Sequence, residues 1–415
     1  MSEGSRAARR AAGAGPALTF LGGVGCARCL LETPGANLLV GCGLFAGPDA
    51  LWRRNFSPGP GELHAADAVI LPSAGLGHTG FLPQLVAEGW HGPVFATPGT
   101  AELLPVLLGD AAKQFEEDVD RWCPPGPAVP PFRTEDVTRA LTLVQPVEFG
   151  TLRQLDGAEL EFGRVGGGLG AAWVRIHVGG RSVVFAGPLG AAGHPLLCPP
   201  DPRPRSDVLV LATPQQPGDG HLAGRFAAAV HRAVRRGGSV VVPAAAGGAE
   251  LLLTMVRDLM DAQEIPRLPV LLDSPAGVAE QVPDRPSIIV AGLETADSGR
   301  VLWHLAAALP DPRDGVVLLG HPAPGTRAAQ LAAGARHLKI QGRYVPVRAE
   351  VTALGGTGEF AGPAEVLAWA TATPAPETAF VVEGEPEPSH ALAKALHAEA
   401  GWCAVVPEDG ERVLC

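Results

Sequence analysis

Six local patterns in this chain contain residue types that could do chemistry. Cys26-Ala-Arg-Cys29 is a single Cys-x-x-Cys pair. A structural zinc site needs a second pair, and a redox motif sits at the start of a helix in a thioredoxin-like unit. Neither setting is present, which argues against both roles. Gly22-Gly23-Val24-Gly25 follows an apolar run but lacks the third glycine and the helix of a dinucleotide fingerprint. Gly166 to Gly170 offers backbone N–H groups to an anion, though a bare turn is the better reading. Ser73 and His78 stand five residues apart with no Gly-x-Ser-x-Gly turn around the serine, which argues against a nucleophile elbow. The twelve His residues lack close pairs at ligand spacing, and a lone His in an apolar loop reads as a hydrogen-bonded structural residue. The helix predicted over His221 to Arg236 sets Leu222, Phe226, Ala229, Val230 and Ala233 on one stripe. Arg225, His231, Arg232, Arg235 and Arg236 fall largely on the other, the strongest basic face expected in the chain; cations at a helix C-terminus explain it without a ligand.

The elements that would position these residues follow from the apolar rhythm. The 415 residues suffice for two or three domains. With 46% hydrophobic and 18% charged residues, and 54 Gly and 41 Pro scattered rather than periodic, disordered and collagen-like classes are excluded. No run reaches the ~18 apolar residues of a membrane span. An odd seven Cys and the absence of an apolar signal core lead us to expect a cytoplasmic protein. The net charge of −11 opposes unaided binding to a phosphate backbone.

From Ala17 onward, short apolar runs bounded by Gly, Pro or Asn predict a sheet, followed by helices over 100–119 and 134–144 and a second sheet over 160–188. The proline-rich stretch Cys198 to Asp207 reads as a domain boundary. Strands and helices then alternate, the rhythm of a parallel sheet covered by helices. After Pro346 come a strand, a helix, the strand AFVVEGE, a helix and a last strand. The expected division is a flexible tail over 1–16, a first domain over 17–205, an inserted domain over 206–345, and a return to the first domain over 346–415.

The segments NLLVGCGLF, AVILPSAGLGHTGFLPQLVAEG, GPVFATPGTAEL, VVFAGPLG, VVVPAAAGG, GTRAAQL, VPVRAEV and VVEGEP, in this order and spacing, resemble the metallo-β-lactamase fold with an inserted β-CASP domain. That family contains RNA-processing nucleases and polyadenylation-type endonucleases. The resemblance implies an α/β chain, an αββα sandwich interrupted by a β-CASP domain of parallel sheet and helices. It also implies two zinc ions on His and Asp ligands, which could activate water and stabilise phosphoryl oxygens. The matching positions are almost all changed. The loop that reads His-x-His-x-Asp-His in the family carries Ser73, Gly75, Gly77 and His78, so that only the last His is kept. The Asp of the preceding strand is Gly41, the His of the Gly-His-x-x-Gly turn is Gly167, and the bridging Asp is Pro188. On the C-terminal side, Ala212 replaces an acidic residue, while Phe360 and Glu383 replace His residues. Arg300 and Thr326 match β-CASP segments that lie near RNA phosphates in the family.

This pattern leads to the expectation of no bound zinc or other cofactor and no catalytic residue. The function then expected is that of an inactive homologue, a structural or regulatory subunit in RNA processing. Its partner would be a second copy or an active β-CASP nuclease, with RNA contacted only within the complex and no membrane involved. A non-catalytic module holding RNA or a small ligand in the old interdomain cleft is the alternative. A residual hydrolase using other residues is the third reading.

Overall fold

The computed structural model describes residues 15–45, 49–117, 130–194, 196–214, 221–244, 248–273, 285–292, 296, 299–320, 322, 325–356 and 358–415. The N-terminal apolar runs become β1 (Ala17–Phe20), β2 (Cys29–Glu32), β3 (Asn37–Val40), β4 (Ala68–Leu71), β5 (Val94–Ala96) and β6 (Val144–Pro146). With β21 (Arg412–Leu414) they form a seven-stranded sheet ordered β21-β1-β2-β3-β4-β5-β6. A second seven-stranded sheet runs β20 (Ala404–Val405), β19 (Thr378–Val382), β11 (Val208–Ala212), β10 (Arg181–Ala186), β9 (Ala172–Val178), β8 (Ala158–Arg164) and β7 (Arg153–Leu155).

Side-chain alternation explains how these sheets stack. Along β3, Leu38 and Val40 face the second sheet and join Ile70, Phe162, Ile176 and Val210. Leu39 points the other way and packs with Leu85, Leu104 and Val137 from the covering helices Leu82–Ala87, Pro98–Glu117 and Thr134–Leu141. Along β11, Val208 and Val210 face inward, whereas Leu209 and Leu211 meet Val366 and Leu396 of the helices Pro363–Thr371 and Pro386–Ala400. Each strand thus has two apolar faces because each sheet is covered on both sides. The result is the αββα sandwich expected from the resemblance.

The third sheet is five-stranded and parallel, ordered β13 (Val270–Asp273), β14 (Ile288–Ala291), β12 (Val240–Pro243), β15 (Gly315–Leu318) and β18 (Glu350–Ala353). Val240 and Val242 face the helices Leu222–Arg235 and Gly248–Asp261. Val241 faces the helices Val301–Ala308 and Arg327–Ala332 on the other side. A two-stranded hairpin, β16 (His337–Ile340) with β17 (Arg343–Pro346), packs beside the second pair.

The structure moves both expected domain boundaries. β11, placed in the insert by the reading of the proline-rich stretch, pairs with β10 and β19 inside the sandwich. The stretch itself is packed, because Arg203 is only 3% exposed and donates to the carbonyls of Ala370, Thr373 and Pro374. Its prolines mark a stapled crossing rather than a linker. At the far end, β18 completes the parallel sheet through β15, so the return to the sandwich comes after Ala353 rather than at 346. The tail over residues 1–14 and most of the Cys123 to Phe132 connector lie outside the described residues.

Candidate active site

β4 ends at Leu71, and the loop that follows is stitched down on every side. The backbone N–H of Ala172 donates to the Pro72 carbonyl at 2.7 Å, and that of His78 to the Gly75 carbonyl at 2.8 Å. The N–H groups of Cys42, Leu44 and Ala27 donate to the carbonyls of His78, Leu76 and Gly77. The Thr79 hydroxyl donates to the carbonyls of Ala74 and Gly75. The short helical turn Leu76–Thr79 therefore holds the His78 ring in one place. Gly187, just beyond β10, leaves it room: a Cβ there would stand 3.2 Å from the imidazole Cε1.

Both nitrogens of that ring are engaged. The Ser73 Oγ lies 2.5 Å from Nδ1, and a Glu383 carboxylate oxygen lies 2.9 Å from Nε2. Glu383 follows β19 with φ +65°, a left-handed conformation rare for a non-glycine residue and found disproportionately at functional sites. Its carbonyl accepts from the Gly25 N–H at 2.9 Å. The side chains of His78 and Glu383 are 9% and 15% exposed, while Ser73 is half-buried and reachable. With Glu383 ionised, one tautomer satisfies both contacts: Nε2–H donates to Glu383, and Nδ1 accepts from the Ser73 hydroxyl. A hydroxyl, an imidazole and a carboxylate in series are the parts of a nucleophile activated by an oriented base.

The sequence reading placed these three residues among the former metal positions but did not connect them. His78 and Glu383 are 305 residues apart, and only the meeting of both halves of the sandwich joins them.

The residues present do not fit the two zinc ions that the resemblance implies. Gly41, Gly75, Gly77, Gly167, Pro188, Ala212 and Phe360 offer no ligating side chain. His78 is already bonded through both nitrogens. Backbone has also closed over several of the old positions. A Cβ at Gly77 would stand 2.4 Å from the Gly25 carbonyl oxygen, and one at Gly167 2.3 Å from that of Pro188 with the Phe360 ring at 3.1 Å. Gly41, at φ +75°, has the Ala27 carbonyl oxygen 2.5 Å from where its Cβ would be. Among the described residues, no group of three or more His, Cys, Asp or Glu is placed to hold a metal ion.

The other patterns resolve as structure. Burial pushes the Cys26 and Cys42 thiols up to about 12 and raises Cys29 as well, which keeps all three protonated and unreactive. The Gly166 to Gly170 turn is tied to a helix start, where the hydroxyls of Thr97 and Thr100 donate to the Gly170 carbonyl. The basic helix face is largely spent on the neighbouring strand. Arg232 and Arg236 pair with Glu350 at 2.5 and 2.8 Å, and Arg225 donates to the Ala353 carbonyl. Arg300 pairs with Asp273 at 3.0 Å, and His304 meets the other oxygen of the same carboxylate at 2.7 Å. Thr326 is buried and accepts from the Ala329 N–H as the cap of the helix Arg327–Ala332.

Comparison with known proteins agrees with this architecture. A Beta-Casp domain model matches residues 279–331. The chain is 32% identical to a ribonuclease of Thermus thermophilus, over 88% of this chain and 92% of that one. It is 23% identical to the transcription termination factor FttA of Pyrococcus abyssi over 83% of this chain, spanning 61% of that longer protein. A crystal structure of a protein of unknown function from Enterococcus faecalis shares the fold across 97% of this chain and 100% of its own, with a TM-score of 0.51 at 13% identity. The fold and the site thus define a metallo-β-lactamase sandwich with an insert. The chain belongs to the metallo-β-lactamase/β-CASP ribonuclease family.

These relatives overturn the expectation of an inactive structural subunit. The proteins matched along nearly the whole chain are named as a ribonuclease and as termination factors. The physical flaw in that expectation is that missing ligands remove a metal site, not every means of moving a proton. In the loop after β4, His78 is hydrogen-bonded to a hydroxyl of the same loop and to a carboxylate brought in from the end of β19. As for location, no helix among the described residues is long and apolar enough to cross a membrane.

Proposed function

We propose that this chain acts on RNA in RNA processing, as a phosphodiester hydrolase whose reacting groups are Ser73 and His78, with Glu383 positioning the imidazole, and which works without the dinuclear zinc centre. The observation that carries this reading is the continuous hydrogen-bonded series from the half-buried Ser73 through His78, both in the loop that follows β4, to Glu383 at the end of β19. Family membership supports RNA as the substrate class, and the donor set supports independence from zinc.

In this reading the Ser73 Oγ forms a bond to phosphorus as its proton passes to His78 Nδ1. The ester oxygen of the downstream fragment leaves, taking that proton from the imidazolium. Water then attacks phosphorus, gives its proton to His78 and frees Ser73 with its hydroxyl restored. Glu383 holds the ring and stabilises the imidazolium, a positioning role. The test is cleavage of a labelled single-stranded RNA in excess EDTA. We expect turnover by the native protein and a drop of at least about 100-fold with Ser73→Ala, which removes the nucleophile. Activity that vanishes in EDTA, or is unchanged in Ser73→Ala, would defeat the reading.

A further inference from the structure

Among the described residues, a second cluster of positive charge lies away from the helix that the sequence pattern singles out. Between Gly315 and Ala349 there is no Asp or Glu, while Arg327, Arg336, Lys339, Arg343 and Arg348 all fall in this segment of a chain with net charge −11. Four of these cations, Arg336, Lys339, Arg343 and Arg348, are exposed and have no carboxylate partner among the described residues. They cluster on the β16–β17 hairpin and its base, where the Val347 N–H donates to the Arg336 carbonyl.

The hairpin has two distinct faces. Leu338 and Ile340 are buried against the helix Arg327–Ala332 and the parallel sheet, which fixes the hairpin in place. On the opposite face Lys339 pairs directly across from Tyr344, so the two side chains stand together. Tyr344 is the only Tyr in the chain and is 73% exposed. A large aromatic ring left in water beside uncompensated cations is the combination that single-stranded nucleic acid uses: bases stack on the ring and phosphates follow the charge. A duplex, with its bases already stacked, gains only the electrostatic part.

We propose that this hairpin is a docking platform for single-stranded RNA, with a base stacked on Tyr344 beside Lys339 and the backbone tracking on to Arg343 at the hairpin turn and Arg348 at its base. The assignment rests on the reading of RNA as the substrate class, but it concerns binding and not cleavage. Fluorescence anisotropy with a labelled single-stranded oligoribonucleotide tests it. We expect Tyr344→Ala to weaken binding about tenfold, and Tyr344→Phe to retain it, because stacking needs the ring and not the hydroxyl. The triple variant K339Q, R343Q and R348Q should lower the slope of log affinity against log salt by about 2, from three lost single-strand phosphate contacts. Native protein that binds RNA while all these variants bind equally well would overturn the platform and leave the proposed hydrolase standing. Native protein that binds no RNA would overturn both. A polyglutamate probe bound as tightly as RNA and weakened equally by Tyr344→Ala would overturn the assignment to RNA.

Discussion

His78 decides the chemistry of this site because its two nitrogens are already committed, one to a hydroxyl and one to a carboxylate. An imidazole held in that way can move a proton but has no lone pair left over for an ion. The glycines around it differ in the room they leave for a side chain. Restoring the family's Asp at Gly77 would drive a side chain into the Gly25 carbonyl, whereas a His at Gly75 would enter open space with only Ser73 Oγ at 3.7 Å. Gly77→Asp should therefore destabilise the protein by about 2 kcal/mol in urea unfolding, the ordinary scale of overpacking. Gly75→His should stay within about 0.5 kcal/mol. Equal effects of the two substitutions would show that the loop has not closed over the old site. His78 was legible in the sequence as the one His kept in its loop and Glu383 as a replacement at a matched position, but their bond was not, since no spacing rule relates residues so far apart.

Among the elements, the helix Leu222–Arg235 and β18 illustrate how a charge pattern misleads when its partner is distant. The sequence shows four arginines and a histidine on one helical face; the structure shows Glu350 between two of the arginines. Burial alone would raise the Glu350 carboxyl, but hydrogen bonds from Arg236 and Arg232 outweigh it and hold the group below its ordinary 4.5. Because the folded-state value is depressed, this contribution to stability is present above the unfolded value and is lost as pH falls through the folded one. Glu350→Gln should therefore lower the melting temperature at pH 7, by an amount that shrinks as the pH falls below the ordinary carboxylate range. A deficit that stays constant with pH would mean that the carboxylate's charge plays no part in fastening the helix to the sheet. The hairpin escaped the sequence reading for the converse reason: its cations are spread over two strands, so neither helical nor strand periodicity gathers them.

For the whole molecule, the alternation of apolar runs was enough to indicate a sandwich and a parallel-sheet insert, because strand and helix periods survive in any context. The boundaries between them were not, since prolines mark an interruption of secondary structure without saying whether the segment is packed. Arg203 is what packs it. Burial lowers its guanidinium to about 10, and its donors fasten the crossing to the end of the helix Pro363–Thr371. Arg203→Leu would strand those carbonyls and should cost about 3 kcal/mol in urea unfolding; a loss below about 0.5 kcal/mol would mean that the crossing is not held by this residue. Such ties bring the two halves of the sandwich together, and with them Ser73, His78 and Glu383. The most direct test of the account is rapid-quench mass spectrometry of the native protein mixed with single-stranded RNA in EDTA. The account predicts a peptide carrying an RNA fragment esterified to Ser73, absent from His78→Gln; cleaved RNA with Ser73 unmodified at every time point would contradict it.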